Sequence, residues 1–169
     1  MAPPRSPFDP APPRLQVRIV PWLSVMAGSM ITLWPVIADF PILPPFGLML
    51  LLGWRLLRPE TFRIWAPLPL GLFDDLLSGQ PLGSAMLLWT LCFFAIDLID
   101  ERVVFRTFRQ DWLIAGGGIA FCLLAGRLFA SPFVAHVDTV LLLQIVISIL
   151  LFPFAARLCA WLDRKRQPA

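Results

Sequence analysis

The sequence has no tyrosine, a single histidine and a single lysine, and only 15% of its 169 residues are charged. Each shortage removes a class of function. With His136 as the one histidine, expected in an outer loop, no serine has a plausible imidazole base, which argues against nucleophilic catalysis. Cys92, Cys122 and Cys159 stand inside apolar runs without C-x-x-C spacing or a neighbouring histidine. They read as small packing residues rather than metal or redox ligands, and neither metal nor cofactor is expected. Gly116-Gly117-Gly118 is followed by no Lys-Ser/Thr pair, so it is not a phosphate loop. Fourteen basic residues against eleven acidic give a formal net charge of +3. Those charges are scattered between apolar runs, which does not suggest a nucleic-acid partner.

Apolar residues are what the chain has in excess, at 58% of the total. A soluble domain of this length could not hide that much apolar surface, so lipid is the expected solvent. Six apolar runs follow one another closely, at residues 17–37, 41–57, 64–77, 82–99, 112–130 and 137–162. A spanning helix needs about 20 residues, within a range of roughly 17–25. The second run is at the lower limit and the third falls short of it. The expected fold is all-α, a polytopic integral membrane protein with six transmembrane helices in one bundle. Residues 1–16 read as a Pro-rich cytoplasmic tail, 17–162 as the membrane domain and 163–169 as a basic cytoplasmic tail. The first fourteen residues carry six prolines and no apolar stretch of signal-peptide length.

The arginines orient these runs. Thirteen of the fourteen basic residues fall before the first run, between the second and third, between the fourth and fifth, or at the end of the chain. The exception is Arg127, at the edge of the fifth run. The positive-inside rule then makes that side cytoplasmic, with both termini inside. It also requires the short third run to cross, because otherwise Arg102, Arg106 and Arg109 would fall outside. Trp22, Trp34, Trp54, Trp65, Trp112 and Trp161 sit near run ends and are expected at the lipid headgroups, whereas Trp89 is mid-run and expected to pack inside. Ser24, Gly28 and Thr32 lie at helical spacing in the first run, a small-residue face for packing within the bundle or against a partner's helix.

The most informative segment is Pro67-Leu-Pro-Leu-Gly71-Leu-Phe-Asp74-Asp75-Leu-Leu-Ser-Gly79-Gln-Pro81-Leu-Gly83, which places two adjacent carboxylates in an apolar run. Each would cost about 2.5–3.5 kcal/mol at the bilayer centre, so something must compensate. Successive helical residues point about 100° apart, so the two cannot share one groove. Three roles compete: a carboxylate that accepts hydrogen bonds from backbone freed by the prolines or by the 78–81 turn, one that pairs with a base such as Arg127, and a proton relay, for which Asp97 and Asp138 are the candidate partners.

The stretch from Gly71 to Gly83 resembles the signature of the MreD family, in which a proline and a glycine precede a membrane-embedded aspartate and a Pro-Leu-Gly turn follows. Spacing after Gly71 favours Asp74 as the family aspartate, with Asp75 beside it as the other candidate. The resemblance implies a non-enzymatic scaffold or regulator of the bacterial wall-elongation machinery in the inner membrane, acting with MreC, MreB, RodA and its penicillin-binding transpeptidase. It also implies a fold similar to the substrate-binding subunits of energy-coupling-factor vitamin transporters, which makes solute binding the rival function. Polar residues converging from several helices would mark that rival. From the sequence, only the third run supplies them at mid-depth. Asp97, Asp100, Glu101 and Asp111 mix with Arg102, Arg106 and Arg109 near a cytoplasmic loop, either as a solvated surface or as a docking surface for a cytoplasmic partner.

Overall fold

A helix apolar on every side has to be buried on every side. Phe-Gly-Leu-Met-Leu-Leu-Leu-Gly-Trp-Arg-Leu-Leu is such a segment, and in the computed structural model nine consecutive residues of it, Gly47 through Arg55, are buried. The model describes residues 15–31, 43–79, 81–100, 107–130 and 139–166. Among these, six α-helices and no strand occur: α1 (Leu15–Met30), α2 (Phe46–Leu57), α3 (Pro67–Ser78), α4 (Ser84–Asp100), α5 (Phe108–Ala130) and α6 (Thr139–Arg166), with a short 3₁₀ turn at Pro59–Thr61. Thr32, His136, Asp138, residues 1–14 and residues 167–169 lie outside the described residues, as do Arg102 and Arg106.

The buried segment, α2, is the axis around which α1, α5 and α6 pack, while α3 and α4 form a hairpin against them. Trp54, Phe93 and Phe152 are the largest fully buried side chains. Two helices are long and apolar enough to cross a membrane: α5, over Phe108–Phe129, and α6. At about 1.5 Å per residue, the twelve residues of α2 and of α3 each span only about 18 Å. The third run starts its helix at Pro67, where a proline lacks no hydrogen bond that the first turn would have made. The sixth run ends later than hydropathy suggests, because Asp163 and Arg166 turn inward and keep the helix going through Arg166.

Three tryptophans test the headgroup expectation. Trp65 and Trp161 are half exposed, as an interfacial indole should be, but Trp54 is fully buried. Its indole N–H donates to Ser24 Oγ at 2.8 Å, and the Arg166 guanidinium lies 4.7 Å from its ring. A nearby polar partner lets an indole leave the interface. Trp89, expected inside, is 4% exposed.

The α3–α4 hairpin closes at Gly71. A Cβ there would stand 2.6 Å from Met86 Cα and 2.7 Å from Met86 N, so backbone meets backbone. Gly117, on the exposed side of α5, has nothing within 4 Å of the same position. Overpacking costs about 1–3 kcal/mol and outweighs the roughly 1 kcal/mol that alanine gains over glycine in a helix. Gly71→Ala should therefore lower resistance to unfolding in a detergent titration by about 1–2 kcal/mol, whereas Gly117→Ala should leave it unchanged or raise it; equal effects would contradict the close crossing.

Candidate functional site

Pro67, Gly71 and Asp75 recur every four residues and therefore share one face of α3, and Gly79, four residues further on, ends the helix. That face meets the start of α4. The absent side chain of Gly71 lets the helices touch, and one turn later Asp75, 1% exposed, reaches the next helix's N-terminus. Asp75 Oδ1 accepts hydrogen bonds from Ser84 Oγ and Ala85 N, both at 2.9 Å. Oδ2 accepts from Gly83 N at 2.9 Å and from Met86 N at 3.3 Å. The first N–H groups of a helix have no partner within it, and their partial positive charge favours an anion. Asp75 is thus a cap supplied from the preceding helix.

The connecting turn is built for this reach. Gly79 ends α3 in the left-handed conformation, φ 66°, and Gly83 adopts φ 94°, both costly for a residue with a side chain. The carbonyl of Pro81 accepts from Ser84 N at 3.0 Å, and that of Gly83 accepts from Leu87 N at 2.9 Å, which begins the helical ladder.

Asp74 points elsewhere. Its carboxylate lies near Ser29 of α1 beside Gly47, where a Cβ would come within 3.2 Å of both Asp74 Oδ1 and Trp89. It also lines a cavity of about 360 Å³ with Ser78, Ser84, Arg127 and Gln144 set among Leu48, Leu88, Leu123 and Leu141. Gln144 Nε2 donates to the carbonyl of Leu43, three residues before α2, at 2.5 Å. Polar groups from α3, α4, α5 and α6 therefore converge, although the third run alone supplies them when the chain is read linearly.

The spacing that favours Asp74 leads to the cavity, and the hydrogen bonds that hold the helix pair run to Asp75. Ser24 and Gly28 face α2: Ser24 accepts from Trp54, and a Cβ on Gly28 would lie 2.8 Å from Leu50 Cδ1 and 3.1 Å from Gly47 N. Enlarging Gly28 would push α1 away from α2 rather than probe a partner alone.

A second cluster escaped the linear reading. At the opposite end of the bundle, buried Arg55 pairs with Asp97 and, at 3.2 Å, with Asp100 of α4. Arg58 reaches Asp163 at 3.1 Å, and Asp163 in turn holds Arg166 at 2.6 Å. Asp97 and Asp100 are thus turned toward an internal arginine rather than presented as part of a solvated loop surface. The available signal was a lone arginine in an apolar helix facing two acids three residues apart. No group of three or more candidate metal ligands occurs among the described residues.

A family model described as rod shape-determining protein MreD matches residues 14–162. No curated protein and no solved structure matches the chain.

Removing Asp75 strands three backbone donors and a hydroxyl, and hydrogen bonds to a charged group contribute about 1.5–3 kcal/mol each. Asp75→Ala is expected to lower stability by about 2–4 kcal/mol in a detergent unfolding titration, and to lower membrane abundance, while Asp74→Ala costs less than about 1.5 kcal/mol. The reverse order would contradict the assignment.

Proposed function

The chain belongs to the MreD family of rod shape-determining proteins, and on that premise we propose that it is a non-enzymatic, multi-pass component of the bacterial inner membrane that holds partners of the wall-elongation machinery together. MreC is the foremost partner; MreB, RodA and its penicillin-binding transpeptidase are further members of the complex. The observation that carries this reading is the use made of one of the two adjacent carboxylates in the signature segment. Four donors engage Asp75, as many as a carboxylate has lone-pair sites to offer, so it joins two helices and has no site left for a substrate or a travelling proton. A rigid hairpin of this kind suits a surface that others dock on.

Both termini are read as cytoplasmic. Thirteen of the fourteen basic residues are assigned to one side, and Arg55, Arg58 and Arg166 gather at one end of the bundle, which supports that orientation. The cavity supports a second reading, a small-solute, vitamin-type binding subunit of a transporter. A few polar groups set in apolar walls suit a small ligand, and its volume is within the usual range of such sites.

Full-length protein purified in mild detergent is expected to bring MreC with it, and cells lacking it should round up with vitamin uptake intact. A small molecule retained one-to-one through purification, together with rod-shaped deletion cells that need a vitamin supplement, would overturn the scaffold reading in favour of solute binding.

A further inference from the structure

The 28 residues of α6 extend about 42 Å, whereas the hydrocarbon core of a bilayer is about 30 Å thick. About two turns therefore project into a headgroup region if the helix begins at the opposite boundary. The charges on those turns are sorted by direction. Asp163 and Arg166 point into the bundle and are 8% and 5% exposed, while Arg157, Arg164 and Lys165 are exposed. At about 100° per residue, Asp163 sits on the side of α6 opposite Phe154, whereas Arg157, Leu158, Trp161, Arg164 and Lys165 fall within about 80° of it. Among the described residues, none of the three outward cations has a carboxylate partner.

That outward face continues the lipid-facing stripe of the same helix. Leu143, Val146, Leu150 and Phe154 are each 45% exposed or more, and the row runs on without a break through Leu158 and Trp161. Two of the cations rest on its aromatics: Lys165 Nζ lies 4.1 Å from the Trp161 ring, and the Arg157 guanidinium 5.9 Å from that of Phe154. A surface whose middle touches acyl chains touches, at its end, the headgroups of the same lipids. Three cations there, without a carboxylate partner among the described residues, are complementary to phosphate. An acidic protein segment would also match the charge, but it would not account for the continuity with the acyl-facing row.

We propose that Arg157, Trp161, Arg164 and Lys165 form a binding surface for anionic phospholipid headgroups. The surface selects phosphatidylglycerol-like lipid over zwitterionic lipid and fixes the depth of α6. The inference depends on the membrane insertion of α6 and not on which partner the protein holds, so it stands or falls separately from the scaffold reading.

The test is native mass spectrometry of the full chain in detergent with equimolar phosphatidylglycerol and phosphatidylcholine. Each cation near a lipid surface contributes roughly a fivefold change in binding, so the triple variant R157Q/R164Q/K165Q should retain at least about tenfold less phosphatidylglycerol. R157K/R164K/K165R should keep it. The unaltered protein provides a readout that needs no variant to fold: raising salt from about 0.1 M to about 1 M should strip phosphatidylglycerol and leave phosphatidylcholine unchanged. Equal retention of the two lipids by the unaltered protein would overturn the proposal. So would undiminished phosphatidylglycerol on the glutamine variant, or loss of a bound protein from that variant with its lipid unchanged.

Discussion

One carboxylate inside the α3–α4 hairpin determines where much of the rest can stand. Asp75 is nearly inaccessible and accepts four hydrogen bonds from the beginning of the next helix. A charge in that position is tolerable only because every donor around it is otherwise unpaired, since the cap and the capped end would each be costly alone. The pairing in turn requires Gly71, whose missing side chain lets α3 approach Met86, and the two positive-φ glycines that turn the chain. With the hairpin set, Asp74 has to face away from the contact, and Ser84 serves two neighbours: its hydroxyl donates to Asp75 and its residue lines the cavity.

The other end of the bundle uses the same logic with the signs exchanged. Arg55 is the only charge on α2 and is 6% exposed, and Asp97 with Asp100 from the last turn of α4 answers it. Burying such a group unpaired would cost several kcal/mol, on the order of 3–5 when one partner of a buried pair is removed. Helix α4 is therefore held at its start by an acid from α3 and at its end by a base from α2. Its middle contributes Leu88 and Trp89 to the cavity wall and Phe93 to the core. A cavity framed by a helix clamped at both ends keeps its shape, which is what a docking or binding site needs.

Hydropathy and charge in the linear sequence mark the six helices of the described residues and the segment that matters, because apolar runs and an acid pair inside one of them need no third dimension to be noticed. Helix ends were less legible. The second run opens with prolines and its helix starts only at Phe46, and the sixth continues past its apolar limit because Asp163 and Arg166 find partners inside. Distance from Gly71 does not separate the roles of Asp74 and Asp75, since what distinguishes them is rotation about α3: residue 75 shares the face of residue 71 and residue 74 does not. Trp54 looked interfacial only because Ser24, thirty residues earlier, was not yet beside it. The polar lining of the cavity is hidden for the same reason, as Arg127 and Gln144 belong to different runs and line one cavity with Asp74 only in the folded chain.

Amide hydrogen exchange at the capped residues reports whether Asp75 caps α4. Ala85 and Met86 are in the first turn, where no carbonyl of their own helix can protect them. The hydrogen-bond acceptor of their amides, and of that of Gly83, is the Asp75 carboxylate. These three amides should exchange about tenfold to a hundredfold faster in Asp75→Asn than in the unaltered protein, as the loss of charge-assisted hydrogen bonds implies. The amide of Leu87, bonded to Gly83, should change far less. Equally fast exchange at Gly83, Ala85 and Met86 in both proteins would contradict the cap.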